Sequence, residues 1–154
     1  AIKIAASTGD IFAESISAGS LDITVSTGKV TVSSVTCEGD ITVGVSTGKA
    51  YLTDVTCKNL TSTGSTGDVS LRNVISKEKI SVERSTGDVT LDRSDAADLF
   101  ITTSTGDVEG SLLTDKVFIT KTDTGCINVP NSITGGRCEI TTDTGDIKIS
   151  ISED

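Results

Sequence analysis

The sequence predicts an all-β fold, a single-stranded parallel β-solenoid (β-helix) of about eight coils, and three observations carry that prediction. The tripeptide Ser-Thr-Gly, or its variant Asp-Thr-Gly, recurs along the whole chain, with its glycine at Gly9, Gly28, Gly48, Gly67, Gly87, Gly106, Gly125 and Gly145. Successive glycines lie 19 or 20 residues apart. Between them, apolar residues alternate with polar ones and never take up helical spacing.

Each coil is read from its glycine onward. In Ser26 to Val45 the residues Val30, Val32, Val35, Ile41, Val43 and Val45 are apolar with polar residues between them. Alternation of period two means a strand with one buried face. One strand therefore follows the glycine, as at Val89 and Leu91, and a second comes later, as at Ile80 and Val82. A hairpin meander would alternate too, but it would reverse direction at every turn, whereas one repeated turn at a fixed corner fits parallel stacking. A coil of 20 residues at ~3.3 Å each is ~65 Å of chain, enough for two or three flat sides around a core one or two side chains wide. Right-handed coiling is the expected hand for parallel crossovers. The glycine is the corner residue, because a tight turn needs positive φ or close backbone approach. The Ser or Asp before it is expected to accept a hydrogen bond from the turn, and the Thr ladder to link hydroxyls between rungs.

Composition narrows the function classes. The 154 residues are expected to form one domain, 1–154, with a narrow aliphatic core, since only 35% are apolar. A start at Ala1 without Met reads as a domain processed or excised from a longer protein. A net charge of −9 argues against nucleic acid and anionic lipid as partners, and no apolar run is long enough to insert in a membrane. The chain contains no His, which removes Ser-His-Asp triads, Cys-His dyads and histidine-ligated zinc.

Several residues invite a chemical reading. Asp123-Thr124-Gly125 and Asp143-Thr144-Gly145 match the aspartic-protease signature, but both fall on the repeat register, so they read as corners. The position after each glycine holds Asp10, Lys29, Lys49, Asp68, Asp88, Asp107, Cys126 and Asp146. Asp68, Asp88 and Asp107 form an outward ladder whose repulsion a cation would relieve; a solvated ladder without metal is the preferred reading, and no cofactor is expected. Cys37 and Cys57 occupy one position in neighbouring coils, alongside Ala18, Ser76 and Ala96, and are expected to stack as buried free thiols rather than as a disulfide. Cys138 matches Ile41 and belongs to the core, whereas Cys126 points outward and is the thiol expected to react.

All four aromatic residues, Phe12, Tyr51, Phe100 and Phe118, fall at positions read as outward, which leaves a purely aliphatic core. Phe100 and Phe118 are read as a stacked exposed pair in successive coils and as the best candidate contact patch. Because no coil carries an insertion, no cleft is expected, and the chain is read as a nonenzyme; a carbohydrate-active β-helix enzyme is the remote alternative.

Ser-Thr-Gly-Asp followed by alternating aliphatics, as in Ser65 to Leu71 and Ser85 to Leu91, resembles the bacterial adhesin-like β-solenoid family, over the whole chain. That resemblance implies a noncatalytic repeat scaffold of unassigned biochemistry, outside the cytoplasm or at the cell surface, with an unidentified protein or glycan as partner. A second expectation is self-assembly. Ile2 and Ile4 at one end, and Ile147, Ile149 and Ile151 at the other, are read as open rungs, the latter blunted by Ser152, Glu153 and Asp154.

Overall fold

The structure, a computed structural model, describes residues 2–113, 116–130 and 135–151. Fourteen strands form one sheet wound into a parallel β-solenoid, with no helix among the described residues. One side of the stack holds β2 (Ile11–Ala18), β4 (Val30–Cys37), the first parts of β6 (Ala50–Thr66) and β7 (Val69–Thr86), β8 (Val89–Ser94), β10 (Val108–Leu112), β14 (Ile147–Ile151) and β12 (Ile127–Asn128). The other holds β1 (Ile2–Thr8), β3 (Leu21–Thr27), β5 (Asp40–Thr47), the later parts of β6 and β7, β9 (Asp98–Thr105), β13 (Gly136–Thr144) and β11 (Lys116–Thr124). Every pairing is parallel, so backbone groups are satisfied by the rungs above and below rather than by a hairpin partner.

The alternation in the sequence is the alternation in space. Val30, Val32, Ile41, Val43 and Val45 are fully buried, and the same columns continue through Leu52, Leu71 and Leu91 and through Leu60, Ile80 and Leu99. The eight repeat glycines line one corner. Gly48 shows why glycine is needed there: its φ is +139°, and a side chain would collide with the carbonyl oxygen of Gly28 in the rung below.

A second turn is made without glycine. Ser15, Ser34, Asp54, Asn73 and Arg93 all have positive φ, between 49° and 56°, six residues after the first five repeat glycines. Asx and Ser side chains tolerate this left-handed conformation better than β-branched ones. The consequence is visible in sequence as a skipped beat, since Val32 and Val35 are both buried although three positions apart.

The hydrogen bonds at the repeat corner differ from expectation. The residue after the glycine, rather than the Ser or Asp before Thr, accepts from the turn: Asp10, Asp68, Asp88, Asp107 and Asp146 each accept a backbone N–H of the adjoining rung at 2.8–3.0 Å. The repeat threonines stay in register, Thr8 on Thr27 and Thr66 on Thr86, but they act through backbone carbonyls, as where Gly28 N–H donates to Thr47 at 3.0 Å. No hydroxyl link joins these threonines among the described residues.

The rungs do not stack in chain order. After β10 the next rung is β13–β14, and β11–β12, which comes earlier in the chain, lies outside it. The open end is therefore β11–β12, not the last strand: Ile147 and Ile149 are buried, while Ile127 is 43% exposed. Ser152, Glu153 and Asp154 lie outside the described residues.

The candidate patch is corrected by the same arrangement. Phe118 is in register with Cys138 and, through it, with Leu99, whereas Phe100 is in register with Glu139. Phe118 sits seven residues before its following glycine and Phe100 six, so the two point to opposite faces. Phe118 packs against the core, which is therefore not purely aliphatic, and it does not stack on Phe100.

Candidate interaction surface

The outer face of β3, β5, the later part of β6, the later part of β7 and β9 is lined with hydroxyl groups. Thr24, Gly44, Thr63, Glu83, Thr102 and Thr141 follow one another in register up the stack. Beside them run the serines of the repeat, Ser26, Ser46, Ser65, Ser85 and Ser104, all exposed. Gly44 interrupts the threonine column and Gly64 lies between the columns. Two adjoining open hollows result, of about 300 Å³ along Thr42, Gly44, Ser46 and Thr63, and about 460 Å³ along Gly64, Glu83, Ser85 and Thr102. Hydroxyls on a rigid sheet offer donors and acceptors at a fixed spacing of ~4.8 Å along the stack.

Phe100 stands on this face, half-buried, with the Lys79 ammonium 4.9 Å from its ring centre. Tyr51 has the same arrangement with Lys29 on the neighbouring side, at 5.7 Å. Each cation covers an aromatic ring and lowers the apolar area it presents. Phe12 is the aromatic left open, at 68% exposure.

Asp123 and Asp143 lie side by side on adjacent rungs, both exposed at the corner. Neither is enclosed, so nothing there excludes water from the two carboxyls. Asp68, Asp88 and Asp107 continue into Asp146, and each spends a carboxylate oxygen on a backbone N–H. Among the described residues no three carboxylate or cysteine side chains converge as a metal would require. A third hollow, of about 310 Å³, lies beside the inserted rung, between Glu109, Gly110, Asn128, Lys148 and Ser150.

The cysteines take the places read from the sequence. Cys37 and Cys57 are buried and free, in the column that begins with Ala18 and continues to Ser76, and Cys138 is buried; Cys126 is exposed. Burial pushes the Cys57 thiol up to about 11, opposed by a Ser76 hydrogen bond and assisted by Cys37 and Asp40. Burial pushes Cys138 up to about 12, with Lys116 acting against it.

Two basic residues escaped sequence reading. Arg84 occupies an inward position in register with Gly64 and is 2% exposed, donating from Nη1 to the Val45 carbonyl at 2.9 Å. Lys116, in register with Gly136, is buried, and its Nζ lies 2.7 Å from Asp95. In both cases a long cation on an inward beat stands opposite a glycine, and that pairing is the signal the sequence carries for them.

With this geometry in view, residues 38–154 match the family described as Toastrack DUF4097. The chain belongs to the Toastrack family. No curated protein matches the chain, and no solved structure matches it either. The Toastrack match begins just after β4 and runs over the repeat to the end, so the Ser/Thr face from β5 onward and both its hollows, apart from Thr24, lie within it. The family description names a domain of unknown function, and the functional reading rests on the surfaces themselves.

Proposed function

We propose that this repeat scaffold is noncatalytic and works as an interaction domain outside the cytoplasm or at the cell surface, holding a protein or glycan partner on its Ser/Thr face. The observation that carries this reading is the coil length. Every period is 19 or 20 residues, so among the described residues no long loop rises beside the sheet to form a cleft, and the hollows on it are open and lined mainly by hydroxyls. A flat rank of regularly spaced hydroxyls favours an extended polar ligand over a small substrate that must be enclosed. No nucleic acid is expected, given the charge of −9, and among the described residues no helix is long and apolar enough to cross a membrane.

Binding to arrayed glycans and to purified surface proteins tests the reading, with Thr63→Lys/Ser85→Lys set against Thr31→Lys on another face. Selective loss in the first variant is the expected result; equal loss in both, or no binding by the parent, would sink it. Turnover of acidic or neutral polysaccharides, with or without calcium, would remove the noncatalytic part.

A second reading is self-assembly through open end rungs. It is favoured by the outermost rung, where Val117, Ile119 and Ile127 are 37–48% exposed and β11 is paired on one edge only among the described residues. Sedimentation over a wide concentration range tests it: the parent should associate and Ile119→Lys/Ile127→Lys should remain monomeric.

A further inference from the structure

Arg84 presents a problem of charge that its protein surroundings do not solve. The side chain is 2% exposed and lies where the neighbouring rungs carry Gly64 and Thr103. Nη1 is bonded to Val45, but Nε and Nη2 are buried without a protein partner. These two N–H groups share one edge of the guanidinium, the edge that grips carboxylates and other anions in a bidentate way. Ser62, two residues before Gly64 on the same inward face of β6, is also buried with its Oγ unpartnered.

A buried lysine or histidine can shed its proton to escape such a setting. An arginine cannot, so its charge must be met by a counter-charge. The carboxylate that acts on it at a distance, Asp68, is engaged by the Asp88 N–H at 3.0 Å and is not in ion-pair contact with Arg84. Glu83, its chain neighbour, is exposed on the outer face. Arg84 and Gly64 both line the hollow of about 460 Å³, and a glycine at position 64 keeps the space beside the guanidinium clear, since a Cβ there would collide with Nη1.

We propose that the Nε–Nη2 edge of Arg84, assisted by the Ser62 hydroxyl, is a binding site for a small monovalent anion of the halide or simple carboxylate class, reached from the hollow beside Gly64. The anion supplies both the acceptor and the negative charge that the fork requires, whereas a water molecule supplies only the acceptor. Glu83, at the mouth of the hollow, opposes entry by repulsion. The guanidinium lies in the interior of the rod, and the route to it opens on the Ser/Thr face.

Bromide is the probe. Crystals of the parent protein grown in sodium bromide should give an anomalous peak within hydrogen-bonding distance of Arg84 Nε and Nη2. An ordered water there without anomalous signal, or bromide at surface sites alone, would overturn the proposal. In solution, bromide at constant ionic strength should raise Tm along a saturable curve. Glu83→Gln, a surface change, should shift that curve to lower bromide concentration, and Arg84→Met should abolish it. An identical curve in Glu83→Gln would contradict the stated route, and a bromide response retained in Arg84→Met would contradict the site. If Arg84→Met does not fold, the anomalous experiment on the parent decides alone.

Discussion

At the scale of single residues, the fold depends on positions where one side chain is tolerated and others are not. Gly48→Ala places a Cβ against the Gly28 carbonyl at a φ of +139°. Such backbone strain costs about 1–3 kcal/mol, and urea unfolding should show a loss at least that large. The pair of Lys116, which is buried, and Asp95, which is partly exposed, is asymmetric in its risk. Asp95→Asn removes the charge that lies 2.7 Å from an ammonium of 3% side-chain exposure, and the same unfolding curves should show a loss of stability. The thiols set a pH limit. Burial raises Cys57 to about 11 and Cys138 to about 12, so between the ordinary thiol range and those values the unfolded chain loses protons that the folded chain keeps. Their contribution to stability is whole at neutral pH and is lost as pH rises from about 9 toward 11–12. The urea midpoint should fall over that window, and the fall should be shallower in Cys57→Ala/Cys138→Ala. At pH 8 a thiol reagent should modify Cys126 rapidly and the three buried cysteines only on unfolding.

At the scale of elements, the inserted rung is the feature with the largest consequence. Among the described residues β11 pairs only with β13, and β12 only with β14, so the outer rung rests on strands that come later in the chain. Removing residues 136–154 should therefore expose 116–128 as well, and amide exchange in that stretch should become fast while the amides of β3 to β7 keep their protection. Retained protection at 116–128 would mean that the outer rung can settle directly on β9–β10. The rung order has its own check. Ser111 and Ser150 are register partners between β10 and β14, so Ser111→Cys/Ser150→Cys in a Cys126→Ser background should be joined by a short bifunctional thiol reagent. Stacking in chain order would keep them a rung further apart.

At the scale of the whole molecule, nearly every contact joins residues a full coil apart, a topology in which loop-closure entropy comes before its reward and folding is slow. The same topology leaves two ends. At one, Ile2, Ile4 and Ile16 are partly covered; at the other, Phe118 and Val129 are partly covered and Ile127 is open. A repeat stack is stable through its neighbours, so a rung covered on one side only is held less firmly than those within the stack. The long outer faces, by contrast, are mostly polar, and the proposed interaction role rests on them.

The amino-acid sequence by itself determined the solenoid, the coil length, the corner glycines, the inward columns and the setting of each cysteine, because these follow from a local rule repeated every 19 or 20 residues. Period-two burial and a glycine at a positive φ need no knowledge of distant chain. What only the tertiary structure decided is everything that depends on which rung lies on which. The order of the last two rungs, the turning of Phe118 into the core, the reach of Lys116 to Asp95 and the unpartnered edge of Arg84 all arise from neighbours chosen across the stack. Identical repeats carry almost the same pairing energy in either order, so local pattern cannot rank the two arrangements; the side chains that meet at the junctions do.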